Sequence, residues 1–121
     1  MPKLDLGFVK GLVQQTGTGI YLSVNPTKTS ATTHDATNPE LPSAHIVQLV
    51  DSTNAADTDQ ALMPLASAAG QLLVILNIDS AQDVVIRNNA DDATLATIGE
   101  GKGAILIATA SGDNWKCTSL G

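Results

Sequence analysis

The chain has 121 residues, 43% of them hydrophobic and 15% charged, with twelve acids against six bases for a formal charge of −6. A chain of this length forms one domain and buries about two-thirds of the surface its unfolded form exposes. The acidic balance repels phosphate and anionic lipid, which excludes nucleic acid and membrane surfaces as partners, and the lack of a cationic, aromatic-lined groove excludes base stacking.

The apolar content is almost wholly Ala, Val, Ile and Leu, because Phe8, Tyr21 and Trp115 are the only aromatics. A core of small aliphatics favours thin packed sheets over a large ligand cavity. The acids are scattered singly or in pairs, as in Asp57/Asp59 and Asp91/Asp92, and read as a solvated surface. The Met1-Pro2-Lys3 start shows no long apolar stretch, and the longest uncharged run made of apolar residues is far below the roughly 20 that span a bilayer. The expectation is a protein made and folded in a reducing cytoplasm.

Lys3–Val13 sets Leu4, Leu6 and Phe8 against Lys3, Asp5 and Gly7, the period-two pattern of a half-buried strand. Gln14–Gly19 breaks it, and Ile20–Val24 forms a second short strand that Asn25-Pro26 stops. Thr27–Pro42 is Thr, Ser, Ala, Asn and Pro with almost no large apolar residue, so it is expected to supply no core element. It reads either as a mobile surface excursion or, the favoured reading, as an arm that orders against a neighbouring subunit or a larger partner, with Thr29 and Thr32 among its contact residues. The domain therefore divides into N-terminal strands and a Thr-rich arm over 1–43 and a β-sandwich core over 44–121.

A strand begins near His45 with Ile46, Val47, Leu49 and Val50, and a polar connection runs from Asp51 to Asp59. Ala61–Leu65 follows, where Met63-Pro64 calls for an edge strand or a bulge, since proline has no N–H for a ladder. A short helix over Thr58–Ser67 is the alternative, because Ala and Leu are strong helix formers, but Pro64 opposes it. After the turn at Ser67–Gly70 comes Leu72–Ile78, whose two faces are both apolar: Leu73 and Ile75 on one, Leu72, Val74, Leu76 and Ile78 on the other. Double-sided burial is expected, one face on a second sheet and the other on a symmetry mate. Ala104–Ala108 repeats the pattern.

Val84–Asn88 is a shorter strand, Ile98–Gly101 a turn, and Ser111–Cys117 the ending that carries Trp115. Short strands at spacings of roughly 8–12 residues, punctuated by Gly and Asn/Asp, indicate an all-β fold: a small antiparallel sandwich or jelly-roll-like barrel.

Few residues offer chemistry. His34-Asp35 and His45 lie across a Pro-containing loop, far from the lone cysteine, and do not form a zinc-ligand pattern. No Gly-x-Ser-x-Gly elbow is present. Gly99-Glu100-Gly101-Lys102-Gly103 has the glycine density of a phosphate loop without its spacing or its following helix, and reads as a turn. Asp79–Asp83 and Asn88–Asp92 do not match the ligand order of a calcium loop. Cys117 has no intramolecular disulfide partner and reads as a structural thiol. Trp115 is either the plug of the sandwich core or a stacking aromatic for a ligand. No catalytic residue, metal or cofactor is expected.

The order of strands and turns over Leu72–Gly121, ending in Ser111-Gly112-Asp113-Asn114-Trp115-Lys116-Cys117, resembles the terminal β-module of tailed-phage virion proteins, above all small head decoration (cement) proteins. The resemblance implies a non-enzymatic homotrimer on the outer surface of an icosahedral capsid, with the major capsid protein as partner. Leu4, Leu6, Phe8, Thr29, Thr32, Leu72, Val74 and Leu76 are then the candidate oligomer and capsid contacts. The alternative is a tail-fibre or tailspike tip, or another carbohydrate-binding β-module, with Tyr21 and Trp115 as its aromatics.

Overall fold

A computed structural model describes residues 22–32, 38–53 and 59–118. The predicted strand carrying Leu4, Leu6 and Phe8 lies outside these residues, as do Tyr21, His34 and Asp35. The described chain is all-β: β1 (Thr29–Ala31), β2 (Val47–Ser52), β3 (Gln60–Leu62), β4 (Leu72–Asn77), β5 (Val84–Arg87), β6 (Thr94–Ile98), β7 (Gly103–Ala108) and β8 (Trp115–Thr118). They form a five-stranded sheet ordered β1-β2-β4-β7-β8 and a three-stranded sheet ordered β3-β5-β6. The two pack face to face as a sandwich, and no barrel closes.

The sheets are mixed, not antiparallel throughout. β1–β2, β2–β4 and β3–β5 pair in parallel, while β4–β7, β5–β6 and β7–β8 are antiparallel. The cause is the path of the chain. From β2 it crosses to the facing sheet for β3, returns for β4, then crosses again for β5, so each sheet receives strands that run the same way. A strand in the opposite sheet does here what a helix does in a βαβ crossover.

Pro64 sets the end of β3, which is the edge strand of its sheet as the Met63-Pro64 pair requires. Met63 still donates its N–H to Arg87 O at 2.9 Å, and the chain then leaves the ladder. No helix forms over the described part of 58–67. β6 has no counterpart in the sequence-based expectations. Its Thr-Leu-Ala-Thr-Ile run is short and weakly apolar, and it becomes a strand by pairing with β5 across a bulge at Ile86/Arg87.

Thr27–Pro42 requires a correction over its described residues. It supplies β1, and both Ala31 and Leu41 are fully buried. Two small or medium apolar side chains suffice because polar neighbours bond within the fold. Asn38 Nδ2 donates to Gln60 Oε1 at 3.1 Å and to Asp91 Oδ2 at 2.9 Å. Leu41 N–H donates to Leu62 O at 2.8 Å.

Between the sheets lie Leu73 and Ile75 of β4, Leu106 of β7 and Val50 of β2, against Val84 and Ile86 of β5. Each such side chain contributes about 1.5–3 kcal/mol on burial. Ala61, Ala104 and Ala108 keep the layers close, and the end of the sandwich is closed by Trp115. Its indole N–H donates to Pro64 O at 2.7 Å, so the one large side chain is both packed and hydrogen-bonded.

Turns tie the same end together. Asp113 accepts the N–H groups of Asn89 and Ala90, at 2.9 and 3.1 Å, and Ala66 exchanges two backbone bonds with Gly112, which sits at φ +87°.

Buried polar side chains act as keys. Asn77, at the end of β4, donates to Gln82 O at 2.7 Å and Ile98 O at 2.9 Å and accepts the Asp79 N–H at 3.0 Å. It thereby joins the two sheets. Asp59 accepts from Ser52 Oγ and Thr53 N, each at 2.8 Å, and Gln48 donates to His45 O while accepting from Asn25 Nδ2. Replacing Asn77 by Ala strands two carbonyls and an N–H. The expected loss is about 3 kcal/mol, read in chemical denaturation as a lower midpoint with an unchanged slope.

Candidate functional site

Side chains on a strand alternate between faces, so β4 divides its residues between core and exterior. Leu73 and Ile75 point into the sandwich, and Leu72, Val74 and Leu76 point out. The register carries the outward set across the sheet. Leu72 lies opposite Ile107, Val74 opposite Ile105 and Val47, and Leu76 opposite Leu49. Ile78 continues the row just beyond β4, 46% exposed, and Leu76 and Ile107 are 38% and 40% exposed. The double-sided pattern at Leu72–Ile78 and Ala104–Ala108 thus becomes one apolar strip three strands wide.

Polar residues border the strip on both sides. On β1 and β2 these are Ser30 and Asp51, with Lys28 paired to Asp51, and on β8 they are Lys116 and Thr118. At the β2 edge the chain before β1 adds Val24, bridged in parallel to Val47 and 49% exposed. Single exposed aliphatics are ordinary, but a contiguous apolar strip with a polar rim is the anatomy of a protein–protein interface.

Gly103 shapes the strip. It stands opposite Leu76, and a Cβ placed there would lie 2.6 Å from Leu76 Cδ2 and 3.2 Å from Ile75 O. Leu76 therefore lies flat over the glycine. A second feature sits at the open side of the sandwich, where a cleft of about 490 Å³ runs beneath β6 against β7 and β8.

Of the sequence-selected residues, Leu72, Val74 and Leu76 are brought together on this face. Thr29 is half-buried at the register position of core residue Val50, and Thr32 exchanges backbone bonds with Gln60 at 3.1 and 2.6 Å, so both are engaged inside the protomer. Trp115 is 2% exposed and belongs to the core. The sequence reading missed Leu49 and Val24. Gln48 hid Leu49, because a polar residue between Val47 and Leu49 suggests an outward Gln, whereas Gln48 is fully buried.

Among the described residues, no three His, Cys, Asp or Glu side chains gather as metal ligands. His45 Nδ1 hydrogen-bonds Ser23 Oγ at 2.5 Å. The N–H groups of Ala81 and Gln82 hold the Asp79 carboxyl below the usual range, which fixes a turn. Burial pushes the Cys117 thiol up, away from the thiolate a nucleophile requires.

The chain matches no protein-family model, no curated protein and no solved structure.

Gly103→Ala tests the strip directly. The variant is expected to fold with a stability loss of about 1–2 kcal/mol, because Leu76 swings into solvent. The concentration dependence of its mass, compared with that of the unsubstituted chain, reads whether the flat strip is a contact surface, since the raised Leu76 removes that flatness.

Proposed function

We propose that this protein is a structural component of a tailed-phage virion, a homotrimer that decorates the outer surface of the icosahedral head by binding the major capsid protein. The observation that carries the reading is the rimmed apolar strip on the five-stranded sheet, which calls for a neighbouring subunit to cover it. A closed ring presents each weak capsid contact three times, and that multivalency gives firm attachment without a large interface per copy. A net charge of −6 fits a position outside the shell, away from packaged nucleic acid. The role is mechanical, a clamp between capsid subunits, and it needs no cofactor and no catalytic group.

Carbohydrate binding at a fibre tip is the weaker reading. Its best candidate, Trp115, presents no free face for a sugar, since the indole is packed between the sheets and bonded to Pro64.

Immunogold electron microscopy of lysate particles, with antibody raised against the purified chain, separates these outcomes. Gold spread over the heads is expected. Gold at the tail ends would transfer the protein to a fibre, and unlabelled virions would end both readings. Val74→Lys places a charge in the middle of the strip, and that variant, added to undecorated heads, is expected to leave them unlabelled while keeping its own fold.

A further inference from the structure

The cleft beneath β6 has the features of a strand-accepting site. Among the described residues, β6 is hydrogen-bonded to β5 alone and β8 is the outer strand of the facing sheet, so the edges of both flank one opening. Leu95, Ala96, Ile98, Ala104 and Cys117 form the apolar part of its lining, beside the polar Asp83, Thr97 and Lys102, and Leu95, Ala96 and Cys117 are only partly buried, marking the place where the core meets solvent. Protein edges are normally blunted by lysine, proline or inward charge. β8 has Lys116, but β6 reads Thr-Leu-Ala-Thr-Ile and carries no such guard.

We infer that the cleft receives residues Lys3–Val13 of a neighbouring copy, which add a strand beside β6 and insert Leu4, Leu6 and Phe8 between the sheets. Main-chain bonds to the β6 edge and alternate side chains in the cleft are the two components of strand addition. Among the other stretches outside the described residues, 14–21 reads Gln-Gln-Thr-Gly-Thr-Gly-Ile-Tyr, with its only two large apolar side chains next in sequence to Leu22. Residues 33–37 and 54–58 read Thr-His-Asp-Ala-Thr and Asn-Ala-Ala-Asp-Thr, without a large apolar side chain. Residues 119–121 are too few to pair along the five residues of β6.

Reach assigns the strand to a neighbour. Ser23 O accepts the Val47 N–H, which puts Leu22 beside the start of β2 at the far side of the sheet. From there to β8 is four strand spacings, about 19 Å, and entry from that side requires rounding the β8 edge toward a sheet about 10 Å away. The link from Val13 to Leu22 spans about 30 Å only when fully stretched. It contains Gly17 and Gly19, and a taut path would run across the apolar strip itself. A neighbouring copy supplies the segment without that tension. The exchange rests on the self-association proposed above but needs no capsid.

Cys117 lines the cleft and is the only cysteine, so it serves as the reporter. Full-length Leu6→Cys and Phe8→Cys chains, mildly oxidised and run on a non-reducing gel, are expected to give covalent dimers and trimers that vanish when Cys117→Ser is added. Asp5→Cys, on the opposite side of the strand, is expected to cross-link at least about tenfold more slowly, because exchange requires access. In a Leu6→Asp/Phe8→Asp chain, Cys117 is expected to react with a thiol reagent at least about tenfold faster than in the wild type. An oligomer with no preference for Leu6 and Phe8 over Asp5, or with unchanged Cys117 reactivity, overturns the strand exchange and leaves self-association standing. Thiol loss in a band of monomer size overturns the neighbour assignment, and a wild-type chain that is monomeric overturns both.

Discussion

Everything in this fold leans on β4, the middle strand of the five-stranded sheet, which is apolar on both faces. Its inward residues, Leu73 and Ile75, meet Leu106 and the facing sheet, and its backbone pairs with β2 on one side and β7 on the other. With only one tryptophan, one tyrosine and one phenylalanine in the chain, no bulky side chain can substitute for close approach of the layers. Small residues such as Ala61, Ala104 and Ala108 permit that approach, and Trp115 closes the one end where a larger volume must be filled.

Parallel pairing follows from the chain's alternation between sheets and brings a cost. Each crossing leaves strand ends whose polar groups must be satisfied inside the sandwich. Asn77, Asp59 and Gln48 do this, and among the described residues no buried side-chain nitrogen or oxygen lacks a partner. Such keys also fix register, since a one-residue slip of β4 would exchange its inward and outward rows and remove Asn77 from Ile98.

The all-β class, the strands at Leu72–Asn77 and Gly103–Ala108, the edge position set by Pro64 and the two faces of β4 were legible from local pattern, because each depends on residues near in sequence. Sheet order and strand direction were not. The parallel β2–β4 pair is made by a detour through the other sheet, and no local signal encodes it. β6 escaped because a short edge strand rich in Thr has little hydrophobic periodicity, and the core role of Ala31 and Leu41 escaped because two side chains in a Thr-rich stretch look too sparse to matter. For the candidate site, Leu72, Val74 and Leu76 could be chosen from alternation alone. Leu49 required knowing that Gln48 turns inward.

The outward strip connects the fold to its proposed work. A surface that leaves Leu76, Ile78 and Ile107 in contact with water is unfavourable for a chain acting alone and favourable for one that meets copies of itself. Sedimentation equilibrium of the purified wild-type chain across micromolar concentrations tests this most directly. A single species of three times the chain mass is predicted, and a persistent monomer would contradict the account.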